Sequence, residues 1–339
     1  MSVTRIALTG AIGVAGAIAF QAAGLPLPFL LGPMLACLLC ALAGVRLASW
    51  PPLTNTMRTI LGVAVGASFT PAIVGQMGGM MLSLALVPFF LIVCGALGYP
   101  FFRRMAGFDP ATAFYSSMPG GIQDMMLFGE EAGGDPRALS LLHATRILLI
   151  VTILPVILWL VWDIDLTQPP GAPISGVPLV ELGAMVGAGL LGWFLAARVG
   201  LFGASLLGPM ILAAALALSG VITQRPPAEA IQLAQFFIGI VVGVKYTGVT
   251  MAEIRRILSA GLGHAVILGA IAFVFAEIAV LLALAPPLEA ILAFAPGGQA
   301  EMSVLAIVAG ADVAYVIAHH VLRIVFVITC APIVFRFLR

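Results

Sequence analysis

Ser117-Met118-Pro119-Gly120-Gly121-Ile122-Gln123-Asp124-Met125 has a second copy in this chain, Ala295-Pro296-Gly297-Gly298-Gln299-Ala300-Glu301-Met302. At a fixed offset of 177, Pro119, Gly120, Gly121 and Met125 meet Pro296, Gly297, Gly298 and Met302. Asp124 meets Glu301, so the acid is kept while its type changes. The same offset carries Asp135 to Asp312, His143 to His320 and Arg146 to Arg323. From Pro119 to Arg146, nine of twenty-eight aligned positions are identical, and four of the nine are Pro, Asp, His and Arg. Such a pattern is an internal duplication, and it governs how every local stretch is read.

Working outward, the pattern extends over most of the chain. Gly24-Leu25 and Leu30-Leu31-Gly32-Pro33-Met34 return as Gly200-Leu201 and Leu206-Leu207-Gly208-Pro209-Met210. The first apolar run follows Arg5 and resembles a signal peptide in layout. Its counterpart near 181–198 is a helix inside the chain, so the first run is expected to be retained as well.

Composition settles the solvent. Of the 339 residues, 62% are hydrophobic and 9% charged, with a mean hydropathy of +1.18. Soluble domains carry about 25% charged residues. The expected class is an all-α polytopic membrane protein with two inverted-topology repeats. These comprise repeat 1 at 1–163, a polar linker at 164–180 and repeat 2 at 181–339, in one integrated membrane domain. A net charge of +1 offers nucleic acid no attracting field. Cys37, Cys40, Cys94 and Cys330 lie in apolar runs and read as packing residues, not as metal ligands.

Twelve apolar segments follow, six per half. They fall at about 5–23, 27–46, 56–76, 80–102, 110–131 and 137–162, then 181–198, 203–221, 230–248, 260–284, 288–309 and 312–334. Pro51-Pro52 reads as a stop between the second and third. Gly62 and Gly66, matched by Gly239 and Gly243, have the spacing that lets helices approach closely in lipid. The fifth segment of each half carries Pro-Gly-Gly mid-run, which breaks a helix. Backbone freed by such a break must lie within protein or line a cavity.

Charge placement orients the halves. With a cytoplasmic N-terminus and a fifth segment that enters and leaves on one side, twelve of the fifteen Lys and Arg fall inside. If that segment crosses fully, the tally is eight inside and five outside. The positive-inside bias favours the first arrangement, about ten crossings plus two broken segments, with the second half inverted. Inverted repeats with interrupted helices characterise secondary transporters, with the site near mid-membrane.

Asp135, His143 and Arg146, and their partners Asp312, His320 and Arg323, fall along one stripe of a continuous helix. Arginine suits a carboxylate or phosphate. It can equally serve structure, pairing the aspartates or the carbonyls of a broken helix. Asp124 and Glu301 stand in the first turn after each break, as caps or as holders of a proton or cation. His143 and His320 can also be satisfied interior residues. His264, Glu277 and His319 have no polar counterpart in the other half and read as local features.

The doubled Leu-Leu-Gly-Pro-Met, Pro-Gly-Gly-x-x-[Asp/Glu]-Met and Asp-x7-His-x2-Arg blocks resemble the AbrB-type duplicated membrane proteins over nearly the whole chain. That resemblance implies a multi-pass protein of the bacterial inner membrane, similar to inverted-repeat anion transporters and cation/proton antiporters. Family labels include ammonia monooxygenase and regulation of gene expression. Four histidines make a poor cluster for copper or iron, so no enzyme, cofactor or metal is expected. The function expected is secondary transport of a small anionic organic solute coupled to protons or sodium. Its partners are that solute, the coupling ion and the bilayer; no nucleic acid is expected, and homodimerisation stays open. The alternative is a membrane sensor or scaffold with an indirect effect on gene expression.

Overall fold

Proline and glycine positions punctuate the apolar runs. A computed structural model describes residues 3–250 and 253–338; Arg339, one of the cations in the charge tally, lies outside them. Among the described residues all regular structure is helical. The first half contains α1 (Val3–Ala22), α2 (Pro28–Leu42), α3 (Pro51–Gly66), α4 (Pro71–Leu84), α5 (Leu86–Pro100), α6 (Pro110–Ser117), α7 (Ile122–Glu131) and α8 (Pro136–Trp162). The second contains α9 (Leu179–Arg198), α10 (Ala204–Leu218), α11 (Ala228–Val244), α12 (Ser259–Leu281), α13 (Pro287–Phe294), α14 (Gln299–Val308) and α15 (Val313–Leu338). Among the described residues, six stretches are long and apolar enough to cross a membrane: 3–22, 79–105, 136–162, 179–198, 255–281 and 313–338. The chain is therefore an all-α polytopic membrane protein.

The duplication is visible element by element. Adding 177 to the bounds of α6 and α7 gives those of α13 and α14. Two expectations shift. Pro51-Pro52 does not stop a helix but starts one, because a proline at the first helical position gives up only an N–H that has no intrahelical partner. The expected span 56–76 is two helices. The Ser68 hydroxyl bonds the Ala64 carbonyl, and the amides of Ser68 and Phe69 reach Val65 and Gly66. Those bonds tighten and end α3, and Pro71 then opens α4.

The helices group into two compact units, each drawing on both halves. The first is Met1–Met77, Pro155–Gly248 and Ala300–Ala314; the second is Gly78–Leu154, Val249–Gln299 and Tyr315–Arg339. Glycine organises the first unit. A Cβ on Gly62 or Gly66 would run into the Leu206 or Met210 carbonyl oxygen, so α3 lies against α10. Gly239 and Gly243 meet the Leu30 and Met34 carbonyls in the same way, so α11 lies against α2. The opposite sides of α2 and α10 are also tight. Gly32 abuts Gly16 of α1, and Gly208 abuts Gly192 of α9. Each Leu-Leu-Gly-Pro-Met copy is thus closed on by two helices, and its leucine and methionine carbonyls receive glycines from the other half. Close backbone approach of this kind drives helix association in lipid, where hydrophobic burial between helices contributes little.

Gly208→Val should push α10 off the Gly192 backbone. Overpacking costs about 1–3 kcal/mol or more. The expected outcome is a lowered melting temperature of purified protein, measured by differential scanning fluorimetry. Val at Gly183, whose Cβ would meet nothing within 4 Å, should leave it unchanged.

Candidate functional site

The second unit holds both interrupted helices up to their breaks. In the first, α6 is capped by Asp109, whose carboxylate accepts the Thr112 amide at 2.8 Å. The chain leaves the helix after Ser117. Met118 is extended (φ −80°, ψ 128°) and so is Gly121 (φ −68°, ψ 142°). Pro119 removes one amide donor and keeps the chain from continuing as helix. In the second, α13 ends at Phe294, and Ala295 has φ −56° and ψ 128°.

Each break exposes carbonyls deep in the protein, and the same two side chains meet them. Arg146 donates Nη1 to the Met118 carbonyl at 3.1 Å and Nη2 to the Gly120 carbonyl at 2.9 Å. Arg323 donates Nη1 to Ala295 at 2.9 Å and Nη2 to Gly297 at 3.0 Å. One turn back, His143 Nε2 donates to the Tyr115 carbonyl at 3.1 Å, and His320 Nε2 to the Leu292 carbonyl at 2.9 Å. A carbonyl only accepts, so each imidazole carries its proton on Nε2. His320 Nδ1 is then free to accept from Arg323 Nη2 at 3.4 Å. Arg146, Arg323, His143 and His320 are each 3% exposed or less. The guanidinium fork suits this task because it presents two parallel donors to two oxygens.

The remaining expected site residues fall elsewhere. Asp135 is an exposed N-cap, accepting the amides of Arg137 and Ala138 at the start of α8. Eleven residues of helix, about 16 Å, separate it from Arg146, so the shared azimuth does not bring the two together. Asp124 is half-buried, with a carboxylate oxygen folded back over Gly121. Glu301 is 8% exposed in the first turn of α14, and Asp312 is half-buried just before α15. Both belong to the first unit.

Helix α5, unremarked in the sequence beyond its hydropathy, joins the two breaks. A Cβ on Gly95 would strike the Met118 side chain, and one on Gly98 would strike Ser117. Phe90 packs edge-on against Phe294, ring centroids 5.7 Å apart. Between these positions the buried Cys94 thiol lies within electrostatic reach of both Arg146 and Arg323. Its apolar run hid this role; the Gly95-x-x-Gly98 spacing was the available signal. A cavity of about 510 Å³ opens beside Met118, walled by Leu91, Tyr99, Phe114, Val327 and Cys330. Its lining is mostly apolar, so it suits an apolar group better than an anion.

If Arg323 holds the break, Arg323→Gln leaves backbone carbonyls short of donors. Each unmet buried group costs about 1–3 kcal/mol. The variant should melt lower and yield less folded protein. Arg323→Lys, a single point donor, should fall between. A variant with Gln that melts like the wild type would exclude the role.

Comparison with known proteins covers nearly the whole chain. A family model described as AbrB, "Transition state regulatory protein AbrB", matches residues 29–339. A Bacillus subtilis (strain 168) protein named "Uncharacterized protein YhjN" is 26% identical, covering 97% of this chain and 91% of its own length. An Escherichia coli (strain K12) protein named "Putative regulator AbrB" is 24% identical, covering 95% and 92%.

Proposed function

The chain belongs to the AbrB family, and we propose that it is a secondary transporter of a small anionic organic solute, coupled to protons or sodium. The observation that carries this reading is the pair of helix breaks, each held by a buried arginine and histidine at equivalent positions. Buried ionisable groups in membrane segments are costly and by default mark a pathway. Interrupted helices in repeated halves are where transporters bind solute. Arg323 bonds carbonyl dipoles rather than a carboxylate, so it brings positive charge to the break. The first turn of α7 adds amide groups and the positive end of its dipole. In this reading the arginines act on the solute through the backbone they hold, and Asp124 and Glu301 tune the two breaks.

The same reading places both termini in the cytoplasm of the bacterial inner membrane, with antiparallel halves. Single cysteines at positions 104, 255 and 170 of a cysteine-free protein test it. Membrane-impermeant thiol reagent should label only position 170 in intact cells. Labelling of 255 from outside would exclude the inverted arrangement.

The word regulator in the name of the Escherichia coli relative favours a second reading, a membrane sensor without transport. With 9% charged residues and a net charge of +1, any effect on transcription would be indirect. A thermal-shift screen against lactate, succinate, citrate and glutamate, followed by uptake into proteoliposomes, separates the two. A ligand at 100 times its Kd adds about 2.7 kcal/mol to the folded state. Transport predicts both a thermal shift and uptake of the same compound. A shift without uptake favours the sensor; neither with any member overturns the proposal.

A further inference from the structure

We propose that Ser83, Tyr315 and His319 form the proton-binding site of this transporter, with His319 Nε2 as the atom that takes the proton; the assignment rests on the transport reading above. The three residues lie in the second unit, on α4 and α15, and are 0%, 4% and 1% exposed. Their counterparts under the duplication are Ala260, Ala138 and Leu142. The cluster therefore belongs to one half only, and packing symmetry does not explain it. Placing three polar side chains inside a membrane segment is costly enough to call for a function.

The direction of every hydrogen bond follows from the chemistry. His319 Nδ1 lies 2.9 Å from the Tyr315 carbonyl. A carbonyl only accepts, so Nδ1 carries the ring's hydrogen and Nε2 of the neutral ring is an acceptor. Ser83 Oγ, 2.8 Å from Nε2, must then donate to it. The second contact of Ser83 Oγ is the Tyr315 hydroxyl. With its own hydrogen committed, Ser83 can only accept there, so Tyr315 donates. The neutral state is a one-way chain from Tyr315 through Ser83 to His319.

A proton arriving at the Tyr315 oxygen can pass inward by hand-off. Tyr315 gives its own hydrogen to Ser83, and Ser83 gives its hydrogen to Nε2. The net change is one proton added, with every hydroxyl restored and every bond in the chain reversed. The imidazolium keeps a partner at both nitrogens, the Tyr315 carbonyl and Ser83 Oγ. The surroundings favour a proton over a metal cation. The groups supplied are two hydroxyls and a ring nitrogen, whereas a hard cation takes a shell of several oxygen ligands.

Among the described residues, Tyr315 and His320 on α15 are the titratable groups in reach of His319. Among the described side chains, α4 brings Ser83 and α13 the ring of Phe294, 5.6 Å away. Arg323, one turn further along α15, is held against Ala295 and Gly297. The other histidines are worse placed. His143 and His320 each donate to a helix carbonyl beside an arginine. His264 sits against Phe102 within reach of the Arg146 charge.

The test uses full-length protein in liposomes and the lactate, succinate, citrate and glutamate panel. An imposed pH gradient should drive the wild type to accumulate at least one panel member. His319→Gln should lose that accumulation and keep exchange of labelled for unlabelled solute across the membrane. Tyr315→Phe, which removes one oxygen and keeps the ring, should lose it in part; it is read alone if the Gln variant fails to fold. A folded variant whose gradient-driven accumulation is undiminished overturns the proton site and leaves transport standing. So does wild-type uptake indifferent to pH. No uptake of any panel member by the wild type overturns both readings.

Discussion

A backbone carbonyl inside a membrane protein has no water to turn to, and the second unit is arranged around that fact. Breaking α6 from α7, and α13 from α14, frees carbonyls where only protein can satisfy them. Arginine meets two of them in each half and histidine a third, at positions 177 residues apart. The breaks could not persist as apolar chain alone. Long polar side chains must reach back from α8 and α15, which fixes where those helices lie beside α6 and α13.

The two units meet the same constraint by opposite means. In the first, the helices pack through glycine, and the absence of side chains does the work. Glycines let α2 and α10 be closed on from both sides, with dispersion between backbones as the attraction. In the second, glycine serves the break as well as packing. Gly120 and Gly297 offer carbonyls to the arginines, while Gly95 and Gly98 let α5 lie against Met118 and Ser117. Helix α5 touches Met118 and Ser117 at one break and Phe294 at the other, so both breaks share one neighbourhood although they arise from distant parts of the chain.

Polar residues without a duplicate carry separate information. A symmetric pair such as Arg146 and Arg323 answers a need both halves share, the unmet carbonyls. Ser83, Tyr315 and His319 answer no such need, since Ala260, Ala138 and Leu142 fill the equivalent positions. His319 read as a local feature because its partners lie 236 residues away on α4 and one turn back on its own helix.

The amino-acid sequence by itself determined the duplication, the membrane class and the two breaks. Periodic hydropathy and the chemistry of Pro-Gly-Gly are local, and local chemistry is legible in one dimension. It also marked Arg146, His143 and their partners as paired. It left open whether the arginines pair the aspartates, the carbonyls of the breaks or a solute. Equal azimuth suggested Asp135 for Arg146, but azimuth ignores the rise along the helix, and Asp135 instead caps the start of α8. Pro51-Pro52 read as a stop because a proline pair ends one helix and begins another with equal ease; only the packed chain shows which. The grouping of helices from both halves into each unit was decided by tertiary structure alone. It depends on which glycine faces meet, and each glycine face has several others it could fit.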